Sequence, residues 1–195
     1  MKTLILASNN AHKVVEVQRV LEPLGFVLKP LSEFPEISDP PETGTTFEAN
    51  ALQKARFVFE RTGLPTLADD SGLEVDALGG APGVYSKRYT PEAIAETNNA
   101  KLLRELAGET QRTGRFVCAL ALVTERGEEA WRGCVEGQIA HSPTGTNGFG
   151  YDPLFIPDAL PDRSMAELSP EEKDAISHRG TALLGLPSKI KELCD

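Results

Sequence analysis

Two aspartates, Asp69 and Asp70, stand side by side in the stretch LADDSGLEVDALGGAPG, where a short apolar run ends. Like charges at neighbouring positions repel and are costly to bury, so the pair needs solvent or a counter-charge. A hard divalent cation would supply one. Mg2+ takes one or two carboxylates from protein and fills its remaining positions with water and phosphate oxygens. Glu42, from the acidic loop SEFPEISDPPETG, could complete such a set. A carboxylate that does not ligate the cation could hold or deprotonate an attacking water. The run Asp-Asp-Ser-Gly fits an ordinary turn at least as well, since these residue types are common there.

Four other stretches gather polar groups. In ASNNAHK a strand ends, a polar turn follows, and a helix begins with Lys13 in its first turns. Backbone N–H groups and an ammonium near one point suit a phosphate, although the glycines of a Walker loop are missing. Taken alone, a capped helix with a solvated lysine explains this stretch better. Lys54 lies seven residues after Phe47 and three after Ala51, so it falls on the apolar side of a helix, with Asn50 one turn before it. A polar group there needs a partner or ligand, and a lysine snorkelling from the edge of the stripe accounts for it equally. GTNGFGYDP sets Phe149 and Tyr151 among glycines. Backbone can approach a ligand closely there and an aromatic face can stack on a base, or the rings simply fill a core. ISHRG places His178 and Arg179 at a helix start, with Lys173 shortly before, and a surface cluster would read the same way.

These groups must be held by a fold that 195 residues can build as one domain, 1–195, with a sizeable core. Hydrophobic residues at 40% and charged residues at 25% are ordinary for a globular protein. The opening MKTLILASNN has too short an apolar run for a membrane span and lacks a signal-peptide pattern, which points to a cytoplasmic protein with no membrane partner. A net charge of −9 without a dense Lys/Arg cluster argues against a nucleic-acid polymer as partner. A small polyanion is still compatible, given local cations, helix N-termini or a metal. Cys118, Cys134 and Cys194 show no CxxC spacing and the three histidines are scattered, so neither zinc nor a disulfide framework is expected. Cys118 and Cys134 read as strand packing.

Residues 3–7 read as a buried strand, 11–24 as a helix stopped by Gly25, and 26–28 as a second strand. Thr45 and Glu48 predict a capping box for a helix to about Thr62 that buries Phe47, Ala51, Ala55, Val58 and Phe59. Residues 66–69 and 73–78 predict two short strands. Thr90 and Pro91 predict a helix reaching Ala107. Residues 115–124 and 129–139 predict paired strands around Arg126-Gly127. Ser169-Pro170-Glu171-Glu172 is a second capping box, and a further helix follows Ser177. Alternating elements at the start and antiparallel ones in the middle favour an α/β fold with a mixed sheet.

The order SNNAHK, ETG, FEANALQKA, ADDSGLEVDALGGAPG, GFGYDPLF, EEK and SHRG closely resembles the inosine triphosphatase family, the non-canonical purine NTP pyrophosphatases (XTP/dITP diphosphatases). The resemblance runs from residue 4 to about 184. It implies a long mixed β-sheet flanked by helices, in two lobes with a cleft between, and a homodimer. It implies hydrolysis of ITP, dITP and XTP to the monophosphate and pyrophosphate with Mg2+, cleansing the nucleotide pool. By position, Ser8, Asn9, Asn10, Ala11, His12, Lys13 and Lys54 resemble triphosphate-binding elements. Glu42 and Asp70 resemble the metal site, and Asp70 the proton acceptor, with Asp69 and Lys13 as further catalytic residues. Ser71, Phe149, Gly150, Tyr151, Asp152, Lys173, His178 and Arg179 resemble substrate contacts, and the donors of His178 and Arg179 would suit a purine C6 carbonyl. The first loop reads Ser-Asn-Asn where many members have Thr-Gly-Asn, and Lys87 falls where only some carry a basic residue. A Maf-like pyrophosphatase would carry Ser-x-Arg-Arg in that loop. A catalytically silent nucleotide sensor would have lost the acidic cluster that is present here.

Overall fold

The computed structural model of the chain describes residues 2–194, apart from the side chains of His12 and Asp174. The chain opens with β1 (Lys2–Leu6), whose residues Leu4, Ile5 and Leu6 are fully buried. An unbroken apolar run suits a strand with neighbours on both sides. Helix α1 (Ala11–Leu21) follows, capped by Asn10, whose side-chain oxygen accepts from the Lys13 amide at 3.5 Å. It stops short of the expected Leu24. Pro23 has no N–H to continue the α-ladder, so Glu22–Leu24 form a 3-10 turn and Leu24 is exposed. Gly25 closes the turn at φ 75°, and β2 (Phe26–Pro30) begins.

Helix α2 (Phe47–Thr62) is capped by Thr46, one residue later than expected. The Thr46 hydroxyl accepts from the Ala49 amide at 3.1 Å, so Glu48 sits at the second helical position and its carboxylate faces Arg132 at 3.6 Å instead of closing a box. The helix buries Phe47, Asn50, Ala51, Lys54, Ala55 and Val58, while Phe59 is only half-buried. The two expected short strands are one, β3 (Thr66–Val75), so Asp69-Asp70-Ser71-Gly72 is strand and not a turn. Helix α3 (Ala95–Glu105) starts later than Pro91, because Ala93 takes φ 53° in a turn closed by its amide on the Thr90 carbonyl. The hairpin β4 (Thr113–Thr124) and β5 (Gly127–Ile139) turns at Glu125-Arg126. The short β6 (Phe155–Pro157) was not anticipated. Helix α4 (Pro170–Ile176) carries the expected capping box: Ser169 and Glu172 exchange backbone-to-side-chain bonds of 2.9 and 3.2 Å. Helices α5 (His178–Leu183) and α6 (Leu186–Cys194) end the chain.

Among the described residues, six strands form one mixed sheet in the order β2-β1-β3-β4-β5-β6. β1 is parallel to β2 and β3, with Leu6 opposite Leu67, and β5 is antiparallel to β6. The chain divides into two compact units, each assembled from separate segments. The first comprises residues 1–70, 118–133 and 179–195. Its core packs Leu4, Leu6 and Leu67 with Val17 and Leu21 of α1, Cys118, Leu120 and Leu122 of β4, and Leu186 and Ile190 of α6. The second comprises 71–117 and 134–178, around Leu73, Leu102, Phe116, Ile139, Tyr151 and Phe155. Cys118 is buried strand packing as expected, and Cys134 is half-buried on β5. No described helix is long and apolar enough to cross a membrane.

One glycine of the second unit is fixed by packing. A Cβ on Gly137 would lie 2.7 Å from the Phe155 ring and on the Ile156 carbonyl oxygen. Overpacking a close strand pair costs about 1–3 kcal/mol. Gly137→Ala is expected to lower the unfolding free energy by that amount, read as a lower urea midpoint at unchanged slope, and an unchanged midpoint would show that β6 yields freely.

Candidate active site

Adjacent side chains on a strand leave opposite faces, and β3 uses this to separate its two aspartates. Asp69 is 3% exposed and meets the Lys13 ammonium at 2.7 Å and the Arg179 guanidinium at 3.5 Å. Arg179 is held in turn by Glu16 of α1 at 3.0 Å. Burial alone would raise the Asp69 carboxyl. Lys13, then Arg179 and Lys54, outweigh it and hold the group far below the usual carboxylate range. Asp69 is therefore the more readily ionised of the two.

Asp70 has a different environment. Its two oxygens accept from Lys54 Nζ and Asn50 Nδ2, each at 3.0 Å, and Lys54 also holds Glu42 at 3.0 Å. Burial raises the Asp70 carboxyl above its usual value and Lys54 only partly offsets this. Burial would likewise lower the Lys54 ammonium, but Asp70, Asp69 and Glu42 together hold it above its usual value. Two neighbouring carboxylates pushed in opposite directions divide their roles: one stays charged, and the other is a better proton acceptor.

The sequence positions of these groups follow from local structure. Lys13 stands at the third position of α1, which Asn10 caps and Ser8 supports by accepting the Asn10 amide at 3.2 Å. Asn50 and Lys54 are one turn apart on the inner face of α2. Arg179 is the second residue of α5 and 7% exposed, and its Nε is buried with no hydrogen-bond partner among the described residues. Arg179, which the resemblance assigns to substrate contact, donates from one terminal nitrogen to Glu16 at 3.0 Å and places the other 3.5 Å from Asp69, with further N–H groups left on both. His12 was assigned beside Lys13, and its side chain lies outside the described residues.

Hard oxygen donors are present for a divalent cation. Glu42 and Asp70 converge on one ammonium, so their oxygens lie no farther apart than two 3.0 Å contacts allow. The donor set fits Mg2+, which needs only one or two protein carboxylates. No group of three or more metal-ligating side chains occurs among the described residues. Any further ligands would thus come from water or a bound anion.

The second unit holds the remaining residues. Ser71 continues β3. Phe149 is 67% exposed, and the Lys173 ammonium lies 4.7 Å from its ring centroid. Asp152 accepts from Lys173 at 2.5 Å and from the Phe149 amide at 2.8 Å. Gly148, at φ 77°, leaves room for the Asp152 carboxylate, which a Cβ would strike. The Gly150 carbonyl accepts from Asn99 at 3.0 Å. Tyr151 is buried with its hydroxyl donating to the Ser86 carbonyl at 2.9 Å, so this ring belongs to the core. His178 stacks on Phe116 with centroids 5.2 Å apart. The Lys87 side chain is exposed, and its carbonyl accepts from Asn98 at 3.2 Å. Glu16, Ser86, Asn98 and Asn99 had no sequence signal. Asn50 had one, a polar residue on an inward stripe, but no partner could be named for it.

The mixed sheet and the buried charge centre define an α/β protein with hard-cation donors and anion-attracting lysines side by side. The chain belongs to the Ham1 family, whose model matches residues 4–188. A dITP/XTP pyrophosphatase of Exiguobacterium sp. is 53% identical over 189 residues, which is 96% of each chain. Among solved structures, a HAM1 protein from Coxiella burnetii superposes with a TM-score of 0.91 at 44% identity, over 98% of this chain and all of that one. The Ham1 protein of Staphylococcus aureus superposes at 0.92 with 38% identity, over 98% of this chain and 99% of that one. The family resemblance and the α/β class expected from the motifs are thereby borne out.

Proposed function

We propose that this chain, acting as one domain, hydrolyses non-canonical purine nucleoside triphosphates, ITP, dITP and XTP, to the monophosphate and pyrophosphate. Relatives named dITP/XTP pyrophosphatase match nearly its whole length. The observation that carries the mechanism is the opposed environment of Asp69 and Asp70. Asp70 takes a proton from water as its oxygen attacks the α-phosphorus, and the bond from that phosphorus to the pyrophosphate oxygen breaks. Its raised carboxyl is the better acceptor for this step.

Lys13 and Lys54 stabilise negative charge on the departing pyrophosphate, the electrostatic work phosphoryl chemistry needs. Asp69 and Glu16 keep Arg179 and Lys13 in place and balance their charge. Glu42 and Asp70 are the residues that would hold a divalent cation, Mg2+ in this reading. Such an ion, when bound, neutralises phosphate charge and offsets repulsion between the two carboxylates. The Ser8 hydroxyl and the backbone N–H groups of Asn9 and Ala11 serve the phosphates, with the Asn10 amide held by Ser8. The exposed face of Phe149 stacks on the base, with Lys173 and Asp152 fixing the ring's loop. Ser71, Gly150, Tyr151 and His178 shape that end of the substrate. The reading includes a cytoplasmic homodimer, supported by the sequence resemblance.

Incubation with ITP and Mg2+ in 18O-labelled water tests the bond cleaved. One label is expected in the monophosphate and none in pyrophosphate. Label in pyrophosphate, or orthophosphate released stepwise through a diphosphate, would reject attack at the α-phosphorus.

A further inference from the structure

Loop residues 42, 43 and 44 are each gripped by a different side chain of α2. Lys54 donates to the Glu42 carboxylate at 3.0 Å. Gln53 accepts the Thr43 amide at 2.9 Å, and its own amide donates to the Thr43 hydroxyl at 2.9 Å. Asn50 accepts the Gly44 amide at 2.7 Å while donating to Asp70 at 3.0 Å. Asn50 is fully buried. Its amide is bivalent: one end holds the loop and the other holds the strand. Gly44 is fitted to this arrangement, since a Cβ there would stand 2.8 Å from the Asn50 oxygen and 2.9 Å from the Ala49 Cβ.

We propose that Asn50 and Gln53 are positioning residues that fasten the irregular 42–44 segment to α2, so that the Glu42 carboxylate is presented beside Asp70. This deepens the reading of Glu42 and Asp70 as a cation site and rests on it. The sequence separation explains the need. Glu42 lies in a loop without regular structure, and a carboxylate there explores many positions unless its backbone is tied. A single ammonium fixes only the tip of that side chain. The two amides fix the peptides that follow it, which reduces the conformations lost when a cation binds.

The test uses the full-length protein without nucleotide and Mn2+ alone as the probe, followed by water-proton relaxation. Asn50→Ala and Gln53→Ala are each expected to weaken Mn2+ binding about tenfold, the worth of one or two lost hydrogen bonds. Amide exchange at Thr43 and Gly44 should rise in the same variants, and the apparent metal constant for activity should rise more than the nucleotide KM. Gln53 is at the surface of its helix, so its variant keeps the test sound where Asn50→Ala fails to fold. Native-like Mn2+ binding and native-like exchange in both variants would overturn the positioning role, provided Asp70→Asn loses Mn2+. If native protein and Asp70→Asn bind Mn2+ alike, the cation reading fails. Positioning is then judged by exchange at Thr43 and Gly44 alone, and unchanged exchange overturns it.

Discussion

Asp70→Asn is expected to lower kcat on ITP by about 10²–10⁴-fold, the range for loss of a general base, while the protein stays folded. The activity loss follows from removing the carboxylate proposed as proton acceptor. The stability follows from the environment of that carboxylate. Burial raises the Asp70 carboxyl in the folded protein, so the fold favours its neutral form, and ionised at neutral pH it costs stability. Asparagine avoids that cost but offers one acceptor to the two donors, Lys54 Nζ and Asn50 Nδ2, that Asp70 satisfies, so a modest fall in Tm is expected, limited because Lys54 retains Glu42 at 3.0 Å. Thermal melts beside steady-state kinetics read both effects. Near-native kcat in a folded variant would remove Asp70 from the chemistry, and a large fall in Tm would show that the carboxylate is structural.

Asp69→Asn has the opposite profile. It leaves the buried Arg179 and Lys13 without their shared anion. Breaking a buried ion pair from one side costs about 3–5 kcal/mol. Arg179 keeps Glu16, which places the expected loss near 3 kcal/mol, and a protein of this size then melts about 6–12 °C lower. The loss depends on pH in a defined direction. The Asp69 carboxyl is held far below the usual range. Its contribution is therefore full above about pH 4, where an unfolded aspartate ionises, and is lost as pH falls below that. The difference between native protein and Asp69→Asn should accordingly narrow in acid. Equal urea midpoints at pH 7 would contradict the assignment of Asp69 as the counter-ion of Arg179.

Much of the local structure was legible from single residues. Gly25 and Gly63 stop helices because they adopt left-handed φ of 75° and 65°. The Ser169 box formed because its hydroxyl and the Glu172 carboxylate are three residues apart, which is one turn. The misplaced caps show where local signals compete. Thr45 and Thr46 are chemically alike, and only the extended backbone at Thr46, φ −130° and ψ 158°, decides which one caps. Ala93 holds a left-handed conformation that no alanine announces, so the start of α3 was set too early. The three-residue β6 was missed because its pairing with β5 is non-local.

By itself the sequence determined the inventory of the site: two adjacent aspartates, a glutamate in an acidic loop, and lysines at the start of one helix and on the inner stripe of another. It determined the family through the order of those motifs, and the α/β class through the alternation of helical and strand periods. It did not determine the division of labour between Asp69 and Asp70. That depends on whether the pair lies in a turn, where both would be solvated, or in a strand, where successive side chains leave opposite faces. Only the tertiary structure makes residues 66–75 one strand and puts Arg179, 110 positions away, on one of its aspartates and Lys54 on the other. Electrostatic environment is a property of distance in space. Residues that share no local segment can set it, so identical neighbours in the chain have their carboxyls shifted in opposite directions.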